Sequence, residues 1–132
     1  MLTECKSNNI NNNSLVLKIS YKGKDVLFTG DIESEAEKTI SQDITADVLK
    51  VAHHGSKTSS SEGFLRSVNP GISVISVGEN FFGHPNFYVV ERLKKYGYVF
   101  STKECGEINL IINFNGEISI KCLNNPNNKY DA

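Results

Sequence analysis

The polypeptide has 132 residues, 39% of them hydrophobic and 22% charged, with a formal net charge of −1. Such a length and balance suit one soluble domain able to bury a core. They exclude a global basic field of the kind that advertises nucleic acid, and no apolar run reaches the length of a membrane-spanning helix.

In chain order, residues 1–13 form a polar, asparagine-rich segment that reads as a loop or frayed terminus. Its first six residues lack an apolar signal-peptide core. From Ser14 to Ser20 the chain alternates, with Leu15, Leu17 and Ile19 on one side, as a half-buried strand does. Tyr21-Lys22-Gly23-Lys24 is a turn, and Asp25–Thr29 the returning strand of a hairpin broken by Gly30-Asp31. Ile32–Gln42 is predicted helical, since Ile32, Ala36 and Ile40 make an apolar stripe and Glu33, Glu35 and Glu37 favour a helix start. Ala46–Ala52 is a short apolar strand, followed by a serine-rich stretch, Ser56–Ser61. A short helix is expected near Glu62–Val68, then a buried strand, Ile72–Val77. Asn86–Tyr96 is the strongest helix pattern, with Gly97 as its C-cap. Tyr98–Ser101 is a strand, and Glu107–Phe114 and Glu117–Cys122 form a hairpin around Asn115-Gly116. The tail, 123–132, is polar and expected to be mobile. Strands alternating with helices between two hairpins imply an α/β fold with a mixed sheet, spanning 14–122. Cys5, Cys105 and Cys122 lack metal-ligand spacing, and an odd count argues for buried or incidental thiols over a disulfide framework.

Two loops carry the chemistry. Phe28-Thr29-Gly30-Asp31 and Val51-Ala52-His53-His54-Gly55-Ser56 each end an apolar β-like run, where sites in layered α/β folds are usually found. Asp31 is either a helix N-cap or a metal ligand. His54 is either a loop histidine bonded to backbone or an imidazole ligand. Adjacent side chains of an extended segment point opposite ways, so one of His53 and His54 faces a site while the other supports it. His84 lies in a loop between Gly83 and Pro85. Together, a carboxylate and neutral imidazoles on strand-anchored loops match what a hydrolytic metal centre requires, and zinc and manganese both suit them. Ser56, Lys57, Ser59, Ser60 and Ser61 either donate to a phosphate or make a solvated loop.

Leu27-Phe28-Thr29-Gly30-Asp31, Leu49-Lys50-Val51-Ala52-His53-His54-Gly55-Ser56 and Phe82-Gly83-His84-Pro85 occur in that order. Together they resemble the C-terminal half of a metallo-β-lactamase-fold hydrolase domain, of the type found in the ComEC/Rec2 competence proteins of DNA uptake. The resemblance runs from about Ser14 to Cys122. Thr-Gly-Asp alone is weak, whereas the ordered set with His-His-Gly-Ser and Gly-His-Pro is specific. It implies part of an αββα sandwich and metal-dependent phosphodiester hydrolysis, with DNA as the expected partner. It also implies roles: Asp31 bridging divalent ions (zinc or manganese), His54 a terminal ligand, His53 supporting that ligand or facing substrate, and His84 in substrate contact or proton transfer; Ser56 and Lys57 are the phosphate-binding candidates read from the loop itself.

The superfamily's His-x-His-x-Asp-His motif has no counterpart, because no histidine precedes His53. The expectation is therefore an incomplete site and a sheet face needing an N-terminal half-domain or a dimer partner. The chain would be soluble and cytoplasmic by default, or membrane-associated within a ComEC-like assembly. Two further readings stand beside this one: a phosphoesterase of the phosphocholine type, and a non-catalytic remnant or interaction module.

Overall fold

A computed structural model describes residues 7–124, 127 and 129–131. After a 3-10 turn at Ile10–Asn13, strands β1 (Leu17–Tyr21) and β2 (Lys24–Phe28) form an antiparallel hairpin. Its two-residue turn holds Lys22 and Gly23 at positive φ (52° and 75°), the twist that tight hairpins demand. Strands β3 (Val48–Lys50), β4 (Ile72–Ile75) and β5 (Tyr98–Ser101) add in parallel, giving the order β1-β2-β3-β4-β5. The crossovers contain α1 (Ser34–Glu37), α2 (Glu62–Val68) and α3 (Phe87–Lys94).

Alternation divides this sheet into two faces. Leu27 pairs with Leu49, Leu49 with Ser73, and Ser73 with Val99. Leu27, Leu49 and Ile75 pack with Ala36, Phe64, Leu65, Val68, Val89 and Leu93 of the helices. Burying each such aliphatic side chain stabilises by roughly 1.5–3 kcal/mol. The opposite face presents Phe28, Lys50, Val74 and Phe100 in register. A short helix α4 (Thr102–Cys105) leads into β6 (Ile108–Ile112), β7 (Ile118–Cys122) and β8 (Lys129–Asp131), an antiparallel three-stranded sheet. Its Ile118, Ile120 and Cys122 close over Val48, Ile72 and Phe100. The layers are helices, sheet, sheet: an α/β architecture with a mixed sheet, as expected. The second sheet leaves β1 and the end of β2 uncovered, reaching β2 only at Val26. Leu17, Ile19 and Phe28 are 38%, 47% and 41% exposed, and Ile19 and Phe28 line one side of an apolar groove of about 510 Å³ whose other wall is Ile108 and Leu110.

Several local expectations are corrected. The alternation in β1 holds, but Leu15, Leu17 and Ile19 lie on the exposed side, and Val16 is the buried residue. The helix expected over 32–42 is a single turn, after which the Thr39 and Ile40 N–H groups donate to the Ala36 and Glu37 carbonyls in the tighter three-residue step of a helix end. The N-cap position there is Glu33, not Asp31. Helix α3 closes at Lys95 in right-handed geometry; Gly97 is required instead by close approach, since a Cβ there would lie 2.0 Å from the Gly71 carbonyl oxygen. Residues 129–131 of the tail pair with β7. Cys105 and Cys122 form a disulfide, against the expectation of incidental thiols, because the Asn124 N–H bonded to the Cys105 carbonyl brings the end of β7 beside α4. Cys5 lies outside the described residues.

Candidate functional site

The parallel register of β2 and β3 places their C-terminal ends side by side, and short bonds tie the loops leaving them. The Thr29 hydroxyl donates to the Lys50 carbonyl at 2.7 Å, and the His53 N–H donates to the Gly30 carbonyl at 3.1 Å. Asp31 N–H donates to Ser14 Oγ at 3.1 Å. Gly30 has a φ of 55°, and a Cβ there would lie 2.6 Å from the Ser14 Cβ, so this turn demands glycine.

The His-His-Gly segment is not extended. His53 (φ 46°, ψ 44°), His54 (φ 53°, ψ 26°) and Gly55 (φ 78°) are successive left-handed residues. For a non-glycine residue that conformation costs roughly 1–2 kcal/mol, and such strain gathers at functional sites. The turn is held by Ser56 N–H to the His53 carbonyl and Asn86 N–H to the Gly55 carbonyl. The premise that two adjacent histidines point opposite ways along a strand therefore fails. Instead His53 sits between two neighbours, its ring centroid 6.4 Å from that of His54 and 5.6 Å from that of His84.

Asp31 and His54 converge: Oδ1 of the carboxylate lies 3.9 Å from Nε2 of the imidazole, both side chains about half exposed. His54 Nδ1 is 2.6 Å from the Ser76 carbonyl oxygen. A carbonyl accepts, so Nδ1 carries a proton, and Nε2 is the ring nitrogen that faces Asp31. This is how a ligating histidine is oriented by its outer partner. The pair fits a divalent cation in donor chemistry. Among the described residues no three His, Cys, Asp or Glu side chains converge on one ion position.

Behind this pair, His53 Nδ1 lies 3.4 Å from Glu33 Oε1, close enough for an ion pair but not aligned as a hydrogen bond. Among the described residues His84 Nδ1 also has no hydrogen-bond partner. Burial, with His53 and His54 nearby, holds the His84 imidazole below its ordinary pKa and favours its neutral form. Lys50 projects from the end of β3 and donates to the Val51 carbonyl. Burial lowers its pKa while the charge of Asp31 opposes the shift.

The serine stretch is not a solvated loop. Ser59 and Ser60 are buried, Ser59 donating to the Ile32 carbonyl, and the N–H groups of Ser60 and Ser61 both donate to the buried carboxylate of Glu37. Ser61 caps α2. Ser56 is buried with its hydroxyl paired to Thr58, whereas Lys57 is exposed. Motif reading passed over Glu33, Lys50 and Asn80. The available signal was a lysine in an otherwise apolar strand and an acid two residues after Asp31.

A fold of helices over a mixed sheet, with an aspartate and a histidine meeting at adjacent strand ends, is what the metallo-beta-lactamase superfamily builds. The profile of that superfamily matches residues 11–79, and the chain belongs to it. Its curated relatives are more particular. The chain is 40% identical over 103 residues to ComE operon protein 3 of Bacillus subtilis, covering 74% of this chain and 13% of that protein. It is 41% identical over 88 residues to Recombination protein 2 of Haemophilus influenzae, covering 65% and 11%. It is 35% identical over 100 residues to competence protein ComA of Neisseria gonorrhoeae, covering 72% and 14%. The resemblance to the ComEC/Rec2 competence proteins is borne out, and the chain spans 11–14% of the length of these relatives. No helix among the described residues is long and apolar enough to cross a membrane.

Proposed function

We propose that this chain contributes half of a metal-dependent phosphodiesterase centre acting on DNA. Asp31 and His54 would hold a zinc or manganese ion, which supplies an acidified water and a counter-charge for the phosphate. The observation that carries this reading is the 3.9 Å approach of Asp31 to His54, with Nδ1 of the imidazole anchored on Ser76. His84, favoured in its neutral form, is suited to accept a proton beside the phosphate, and His53 holds its place between Glu33 and His84. Lys57, exposed just past the histidine turn, meets the phosphate; Ser56 shapes that turn through its N–H bond to the His53 carbonyl.

Two donors do not close a hydrolytic site. The remaining ligands come from polypeptide outside these 132 residues, an N-terminal half-domain or a second subunit, seated against the uncovered face of β1 and β2. Calorimetry with zinc and with manganese tests the reading, with Asp31→Ala and His54→Ala beside the unaltered chain. Binding that disappears in both variants is expected, and nuclease activity is expected once a complementing half is added. Equal heats from all three proteins would reduce the chain to an interaction module.

A further inference from the structure

We infer that Phe81 and Phe82, on the loop that carries His84, form a stacking platform for unpaired nucleobases, so that the strand engaged at this site is single-stranded nucleic acid. This rests on the phosphodiester reading above and names its substrate class.

Phe81 and Phe82 are 108% and 83% exposed, among the most solvent-facing large apolar residues of the molecule. Phe87 and Tyr88, which open α3 just beyond, are 69% and 74% exposed. The loop beneath the first pair is pinned. Asn80 Oδ1 accepts from the N–H groups of Phe82 and His84, and Asn80 Nδ2 donates to the carbonyls of Gly78 and His84. One half-buried amide thus sets the whole turn, so the backbone that presents the two rings needs little ordering on binding. The Phe82 ring stacks on His84, centroids 6.0 Å apart and planes 25° apart. Phe82 and His84 line a cavity of about 200 Å³ that also includes His54, Val77, Gly78 and Asn80. A flat ring lying on Phe82 therefore sits next to the imidazole proposed to hold the ion.

The chemistry of this patch separates its occupant from a protein partner. The bare face of β1 and β2 mixes Leu17 and Ile19 with Tyr21 and Phe28 along an apolar groove walled by Ile108 and Leu110, as a packing layer does. The loop patch is aromatic, interleaved with polar Asn80, His84 and Asn86. Aromatic faces stack on any base irrespective of sequence, and duplex bases are not available for it. Repulsion of a phosphate backbone is limited, since Glu79 is paired with Lys103 at 3.3 Å and Glu91 with Lys94 at 2.7 Å.

The chain has no tryptophan, so Phe82→Trp supplies a sole indole at the platform. Its fluorescence is titrated, in chelator, with oligothymidylate, with a duplex of equal length and with an abasic strand of equal length. Expected is quenching by oligothymidylate at about tenfold lower concentration than by either control, and about tenfold weaker binding when Phe81→Ala is added. Anisotropy of labelled oligothymidylate against the unaltered chain, Phe81→Ala and Phe82→Ala repeats the comparison without the indole. No binding of oligothymidylate, or equal binding of the abasic strand, overturns the platform. Preference for the duplex overturns it too. Chelator keeps this result independent of the ion: stacking without metal binding sinks the hydrolase reading alone, and metal binding without stacking sinks the platform alone.

Discussion

The two faces of the five-stranded sheet use alternate residues of the same strands and yet end in different states. On the helix side Leu27, Leu49 and Ile75 are fully buried under α1 to α3. On the other side Val48, Ile72 and Phe100 are closed under β7, while Leu17, Ile19 and Phe28 remain in solvent. The closed face makes the strand ends rigid, which a site built on short loops requires. The open face reaches the same strand ends through Phe28 and Lys50. Asp31 and the histidine turn thus stand where a fixed floor meets an uncovered wall, and the floor can be perturbed separately from the wall.

The largest effect is expected on the floor. Leu49→Ala removes a buried side chain between sheet and helices and should cost about 2–5 kcal/mol. Urea unfolding checks this, and a cost near that of an exposed-face substitution would break the contrast. Next comes the disulfide, which ties the covering sheet to the chain across a separation of 17 residues. Its reduction should cost about 3 kcal/mol, read as the difference in unfolding midpoint with and without reductant. The loss should fall on the covered part of the second face, seen as faster amide exchange in β7 than in β3.

Elements specified by neighbours in the chain were legible. Helix α2 runs over Glu62–Val68 as expected because Ser61 caps it and Asn69, in left-handed geometry, ends it. The β6–β7 hairpin turns around Asn115-Gly116 as expected, but through a five-residue loop in which Gly116 (φ 82°) takes the positive φ and Asn115 does not. The meeting of Asp31 with His54 was legible, since Gly30-Asp31 and His54-Gly55 are local motifs on strand ends. What stayed hidden depends on distant contacts. The left-handed backbone of His53 and His54 is imposed by Pro85 packed against Gly55 and by the Asn86 N–H, neither of which is near in sequence. The disulfide needs the register of β7 against the end of α4. The outward turn of Leu17 and Ile19 needs knowledge of what covers β1, which alternation cannot supply.

Glu37 offers a smaller effect, by pH. Its carboxylate is buried beneath Ser60 and Ser61; burial pushes its pKa up, and the hydrogen bonds from those residues and the charge of Arg92 pull it back. With the folded pKa above the unfolded one, the folded state holds more protons between the two. The stability from this group is complete below the ordinary carboxylate value and is lost as pH rises through the folded pKa. Asp25 and Asp43, lowered mainly by hydrogen bonds from Ser20 and Thr45, act in the opposite sense and at lower pH. Glu37→Gln should therefore flatten the decline on the acidic side of neutrality, measured by urea unfolding at a series of pH values. An unchanged slope would assign the decline to other groups.

The smallest effect is expected on the wall. Ile19→Thr keeps β-branching and replaces an apolar tip that is already half in water, so it should change stability by less than about 0.5 kcal/mol. The open face makes a second demand on the same variant. If β1 and β2 receive another chain or half-domain, Ile19→Thr should weaken that association while leaving the fold intact, and light scattering should show less self-association at high concentration. A loss of stability comparable to Leu49→Ala would mean that Ile19 is covered in solution. In that event the two faces would be equivalent, and the uncovered wall beside Asp31 would have to be sought at the edge of β6, where Ile111 is exposed.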